Sequence, residues 1–221
     1  MNEALARDEI CRVGKSLFDR GYVHATAGNI SCRLDDGSLL ITPTDACLGL
    51  LDPARLSRVD AQGAHLSGDR PSKTVVLHAR IVAAALRFDP GTRCVLHTHS
   101  THCVALSLAS QQAELLPPVT AYFVMRVGHV PHVSYHRPGA PAAADAVAEL
   151  IQRYGEAGTP IRAVMLNRLG PVVWHDSPAN AMAVLEELEE TARLACLARS
   201  PLQPLDAASI EELRAGFGAR W

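Results

Sequence analysis

Cys94, Val95 and Leu96 run straight into His97, Thr98 and His99, and this apolar stretch closed by two histidines constrains the chain more than any other. The run is too short for a helix, while Ser100 or Thr101 can cap a helix that follows. That order puts both imidazoles at the C-terminal end of a strand. Positions i and i+2 of a strand share a face, so His97 and His99 can close on one ion. Ligand sites in α/β proteins favour that edge. On spacing alone, two ordinary surface histidines remain the alternative.

The flanking segments supply the elements around this strand. Leu5, Ile10, Val13 and Leu17 stand at helical spacing within residues 3 to 20, and Gly21 is a natural stop. Two apolar stretches meet at Asp35-Asp36-Gly37, a hairpin turn, and the second strand ends at Thr42-Pro43-Thr44. Asp52-Pro53 opens a short helical turn before Val59. Ser72 is placed to cap a helix through Leu77, Ile81, Ala84 and Leu86. Residues 101 to 109 read as a helix, and the aromatic and β-branched residues of Tyr122 to Gly128 and Val130 to His136 read as extended segments. A helix through Val147 and Leu150 follows Gly139 and Pro141. Ile161 to Leu166 and Val172 to Trp174 form a strand pair, Ser177 to Ala198 a long helix, and Ser209 with Glu212 a capping box for a last helix.

A chain of 221 residues suffices for one domain with a full core, residues 1–221. With 48% hydrophobic and 20% charged residues it is globular, and no apolar run approaches the roughly 20 residues that a membrane span needs. Met1 to Asp8 lacks the basic region and apolar core of a signal peptide, so a cytoplasmic location is expected. Cys11, Cys32, Cys47, Cys94, Cys103 and Cys196 show no C-x-x-C spacing and read as free thiols. A net charge of −2 gives no reason to expect a nucleic-acid partner, and nothing points to a membrane.

Small residues and hydroxyls gather at both ends of the hairpin, in Thr26-Ala27-Gly28-Asn29 and Thr42-Pro43-Thr44. Such residues let backbone N–H groups approach an anion, or they serve only as turn residues. Lys73 lies in the expected first turn of a helix, where the dipole disfavours a cation, so either an anion is nearby or the side chain is simply solvated. His78 belongs to that helix rather than to a site.

Taken together, Thr26-Ala27-Gly28-Asn29, Thr42-Pro43-Thr44, Pro71-Ser72, His97-Thr98-His99 and Glu186-Glu187-Leu188-Glu189 resemble the class II aldolase/adducin family over nearly the whole chain. Gly21 to Asn29, Cys47-Leu48-Gly49, Leu66 to Asp69 and Tyr135 to Gly139 look most like its 3-oxo-tetronate 4-phosphate decarboxylase branch. The resemblance implies a three-layer α/β/α fold with a central, mainly antiparallel sheet, in a homotetramer with active sites between subunits. It implies a divalent metal, zinc first, with Mn²⁺, Co²⁺ or Fe²⁺ as alternatives, on His97 and His99. It implies a phosphate site at Gly28, Asn29, Thr44, Ser72 and their neighbours, and an acid at Tyr122 reaching in from the neighbouring subunit.

Two positions depart from the family pattern: Thr74 stands where the aldolases carry a catalytic glutamate, and Leu169 where they carry a third metal histidine. Leucine cannot bind a metal, and two histidines leave zinc short of the three protein ligands typical of catalytic sites. His136, beside the Arg137-Pro138-Gly139 turn, is the first candidate for the missing ligand and His129 the second. Retro-aldol cleavage needs a base for a hydroxyl proton, whereas a β-keto acid expels CO₂ with no proton to collect. Thr74 fits decarboxylation better. The expectation is metal-assisted decarboxylation of a 3-oxo-tetronate 4-phosphate to dihydroxyacetone phosphate and CO₂, with Tyr122 as acid and Lys73 or Arg126 for the substrate's anionic groups. The alternatives are a sugar-phosphate aldolase or epimerase, and a non-catalytic, adducin-like interaction module.

Overall fold

A computed structural model describes residues 1–109 and 112–221. Eight strands form one sheet: β1 (Asn29–Arg33), β2 (Leu39–Ile41), β3 (Ser57–Val59), β4 (His65–Ser67), β5 (Cys94–His97), β6 (His132–Val133), β7 (Ala163–Leu166) and β8 (Gly170–His175), in the order β4-β3-β2-β1-β5-β8-β7-β6. Every pairing is antiparallel except β6 with β7. Six α-helices accompany the sheet among the described residues: α1 (Glu3–Asp19), α2 (Val75–Ala85), α3 (Thr101–Ala109), α4 (Pro141–Glu156), α5 (Pro178–Leu197) and α6 (Ala207–Phe217). None is long and apolar enough to cross a membrane.

The period-2 alternation of the central strands creates the three layers. Cys94 and Leu96 of β5, Ala163 and Met165 of β7 and Val173 of β8 join Ile10, Leu17, Leu185 and Leu188 in a core beneath α1 and α5. Val95, Val164, Val172 and Trp174 point the other way, into a second core with Ile81 of α2 and Val147 and Ile151 of α4. The same parity puts His97 on the α2/α4 side, opposite Leu96. Asn29, the cross-strand partner of His97, and Ser31, the partner of Val95, share that face.

Several expectations for these elements fail for physical reasons. Phe123–Val127 is a turn of π-helix, not a strand: the Thr120 hydroxyl accepts the Phe123 N–H, and Gly128, at φ 77°, closes it by donating to the Phe123 carbonyl. Burial of Phe123, Val124 and Val127 outweighs their β preference. Thr74, not Ser72, occupies the cap position of α2, and the Ser72 hydroxyl instead accepts the Thr74 N–H at 3.3 Å. Asp206 caps α6 by accepting the Ser209 N–H at 2.8 Å, which makes Ser209 the third helical residue rather than the cap.

Candidate active site

His97 ends β5 and His99 follows it in the connection to α3, so both rings emerge at the strand edge. The His97 Nδ1–H donates to the Pro171 carbonyl at 2.9 Å, which fixes the tautomer and leaves Nε2 with its lone pair. Burial, with the His99 ring beside it, lowers the His97 pKa to about 4, so the ring is neutral near pH 7 and its Nε2 lone pair is free to bind a cation. The two ring centroids are 5.0 Å apart. Two imidazoles bound tetrahedrally through 2.0–2.1 Å bonds place their centroids about 5 Å apart. The pair fits a divalent ion.

A cleft of about 300 Å³ opens over this pair, bounded by the hairpin, the start of α2 and the start of α4. It gathers Gly28, Asn29, Thr44, Ser72, Lys73, Thr74, His97, His99 and His136, nine of the positions singled out from the sequence. Gly28 sits there at φ 87° because a Cβ would stand 2.9 Å from the His97 carbonyl oxygen. Asn29 is buried on the floor, and its Oδ1 has no partner among the described residues. A buried acceptor left unpaired costs about 1–3 kcal/mol, so a ligand donor is favoured beside it. The Ser72 and Thr74 hydroxyls are 2.9 Å apart at the mouth of α2.

Tyr122 and Arg126 do not line this cleft within one chain; they lie on the π-helical segment, where the Arg126 guanidinium stands 5.9 Å from the Tyr122 ring centroid. His129 is also elsewhere: its Nδ1 meets Glu114 at 2.9 Å and its ring stacks on Trp221 at 4.1 Å. It is committed to packing and is withdrawn as a ligand candidate. Leu169 lies in the cleft wall, so the missing histidine leaves an apolar surface there.

The sequence reading gave no role to Asp45, Arg137 or His24. Asp45, at φ 57°, and Arg137 both line the cleft, and their adjacency to Thr44 and His136 was the available signal. His24 approaches the other side of His99, with centroids 6.4 Å apart. Among the described residues no three histidine, cysteine or acidic side chains stand close enough together to hold an ion.

Two parts of the scaffold hold the pair in place. Glu189 of α5, itself buried, accepts the His102 and Cys103 N–H groups at 2.8 and 3.0 Å and so caps α3, a task expected of Ser100 or Thr101. Beneath the pair, His78 is fully buried, with Nδ1 2.8 Å from the Ser31 hydroxyl. Burial, with His97 nearby, lowers its pKa to about 3. The folded state refuses a proton that the unfolded chain accepts near pH 6.5, so stability is lost as the pH falls from about 6.5 toward 3. In urea unfolding of metal-free protein, His78→Gln is expected to flatten this acid slope by about 1.4 kcal/mol per pH unit. An unchanged slope would refute the assignment.

The chain belongs to the class II aldolase and adducin family, whose N-terminal domain model matches residues 8–196. The 3-oxo-tetronate 4-phosphate decarboxylase of Cupriavidus necator is 49% identical, with 99% of each chain covered. Among solved structures, YgbL of Escherichia coli superposes with a TM-score of 0.84 at 44% identity, covering 96% of this chain and 98% of that one. L-fuculose-1-phosphate aldolase of Thermus thermophilus superposes at 0.73 with 25% identity, covering 90% and 100%.

Proposed function

We propose that this protein is a metal-dependent lyase that decarboxylates a 3-oxo-tetronate 4-phosphate to dihydroxyacetone phosphate and CO₂. The observation that carries the reading is the composition of the cleft: a metal-competent pair, His97 and His99, faces Lys73 and Arg137, with Thr74 where an aldolase base would stand. The whole-chain likeness to the Cupriavidus necator decarboxylase supports the same choice.

His97 and His99 would hold the ion, with His136 on the cleft wall the candidate for a third ligand. A bound divalent cation, zinc in the first instance, supplies Lewis acidity toward the substrate's ketone as negative charge develops. Asn29, Thr44 and Ser72 bind the phosphate together with backbone N–H groups at Gly28, and Lys73 or Arg137 neutralises the anionic ends. The bond to the carboxylate breaks and CO₂ leaves; the released electron pair forms a double bond to the ketone carbon, whose own π pair moves onto the ketone oxygen as an enolate. The apolar wall of Leu166 and Leu169 suits a group that loses its charge on departure. A proton must then reach carbon, and Tyr122 of a neighbouring subunit is the acid, with Arg126 beside it. This assembly is a homotetramer of single-domain chains acting on a small phosphorylated sugar acid in the cytoplasm.

Incubation with a 3-oxo-tetronate 4-phosphate should release CO₂ and dihydroxyacetone phosphate in equal amounts. Release of an aldehyde without CO₂ would refute the reading. One observation favours the second reading, aldolase or epimerase: Asp45 puts a carboxylate in the cleft. That reading requires Asp45→Asn to abolish cleavage of a sugar phosphate by the parent.

Thr74→Ala is expected to lower CO₂ release by less than about tenfold, since loss of a general base typically costs about 10² to 10⁴. Thr74→Glu should slow the reaction further, because its carboxylate repels the substrate's own. Steady-state CO₂ release at saturating metal checks both. An inactive Thr74→Ala that still holds metal would give the hydroxyl a catalytic role.

A further inference from the structure

The substrate class proposed above carries two anionic ends, a phosphate and a carboxylate, and like charges repel from a shared subsite. The phosphate positions Asn29, Thr44 and Ser72 come from β1, the segment after β2 and the start of α2, and Lys73 adjoins them in the chain. Arg137 enters the same cleft from elsewhere. β6 runs parallel to β7 with Val133 beside Leu166, so the segment leaving β6 passes the apolar Leu166 wall before it reaches Arg137. Arg137-Pro138-Gly139-Ala140 is then a tight turn: the Ala140 N–H donates to the Arg137 carbonyl at 3.1 Å, and Gly139 takes φ 76° at the third position. Proline second and a positive-φ glycine third is the pattern of a type II turn. Gly139 rests against α2, since a Cβ there would stand 3.4 Å from the Lys73 carbonyl oxygen. Pro141 opens α4 directly afterwards, so turn and helix together fix the backbone that carries the guanidinium.

Arg137 is exposed and lines the cleft, and among the described residues its side chain has no ion-pair partner. Asp45, the one acid of the cleft lining, does not pair with it, and α4 has no acid in its first turn. Asp145, further along that helix, is held by Arg80 at 3.2 Å. A free guanidinium offers planar N–H donors that match a carboxylate with two parallel hydrogen bonds. We infer that Arg137 recognises the substrate's carboxylate, and so selects a sugar-acid phosphate over a sugar phosphate that lacks the acid. This rests on the decarboxylase reading only for the identity of the acid. With phosphate at Asn29, Thr44 and Ser72 and carboxylate at Arg137, the ketone between the two ends is left for the histidine pair. A cation on the carboxylate favours the very charge that must be lost as CO₂ forms, so the contact serves binding rather than bond cleavage.

The test is calorimetric titration of the full-length protein, with zinc present, by two phosphates: a tetronate 4-phosphate, whose hydroxyl in place of the ketone keeps it unreactive, and dihydroxyacetone phosphate, which has no carboxylate. Arg137→Met should bind the tetronate 4-phosphate about 10- to 100-fold more weakly, the range spanned by hydrogen bonds to a charged group, and dihydroxyacetone phosphate as the parent does. Arg137→Lys should recover part of the loss, because an ammonium keeps the charge without the planar fork. Lys73→Met should weaken both ligands. In steady-state CO₂ release, Arg137→Met should raise KM by a similar factor and lower kcat by less. Equal weakening of both ligands in Arg137→Met, or parental affinity for both, would overturn the inference, as would a loss confined to the tetronate 4-phosphate in Lys73→Met. A parent that releases no CO₂, yet distinguishes the two ligands through Arg137, would overturn the decarboxylase reading and leave the carboxylate contact standing.

Discussion

His97→Ala and His99→Ala are expected to lose stoichiometric metal and to lower CO₂ release by more than about 100-fold while remaining folded. Each removes a metal-competent imidazole at the sheet edge rather than a core contact. The two variants should nevertheless differ in stability. His97 is buried and its Nδ1–H satisfies the Pro171 carbonyl, so its truncation should cost about 1–3 kcal/mol in metal-free protein. His99 is half-buried, and the ring contacts that hold it are with His97 and His24, so its truncation should cost less than that of His97. Metal analysis, urea unfolding and turnover on the same preparations check the three statements. Metal retained at one ion per chain in either variant would remove that histidine from the centre.

The histidine pair was legible because everything that places it is local: a short apolar run, its parity on a strand, and a break before the next helix. The parity of Val95 and His97 alone assigns the pair to the α2/α4 side once the neighbouring helices are known. The positions proposed to bind phosphate came from the family resemblance, and the fold gathers Gly28, Asn29, Thr44 and Ser72 in one cleft. What escaped was non-local. The cap of α3 comes from Glu189, a carboxylate 87 positions from His102, so hydroxyls beside the helix start drew the assignment instead. The strands Ser57–Val59 and His65–Ser67 are three residues each, too short to carry an alternation of their own. Phe123 to Val127 has the composition of a strand, and only burial against α5 and α6 with the Thr120 cap turns it into a helix. His24 lay inside a stretch that carried the family likeness, but nothing in its spacing links it to His99 across 75 positions of chain.

Gly170→Ala is expected to destabilise the protein by about 3–5 kcal/mol, among the largest effects of any single substitution. Gly170 opens β8 at φ 144°, and a Cβ there would stand 2.0 Å from the Thr98 carbonyl oxygen, 3.0 Å from its carbon and 3.1 Å from the His99 Cα. All three are backbone atoms, so no side-chain rotation relieves the clash. The strand itself must move, and it carries the next residue's carbonyl with it. That carbonyl, of Pro171, accepts both the Thr98 N–H at 3.3 Å and the His97 Nδ1–H at 2.9 Å. One methyl group therefore displaces the backbone between the two histidines and loosens the bond that orients His97. Protein that still folds should bind zinc at least about tenfold more weakly, the range typical of disturbing a ligand's supporting partner. Gly216→Ala is the control: it lies in α6 with nothing within 4 Å of its added Cβ, and helix propensity predicts a gain of about 0.5–1 kcal/mol. Urea midpoints at constant m-value decide the comparison. A Gly170→Ala midpoint equal to the parent's would mean that this close approach does not hold the histidine pair.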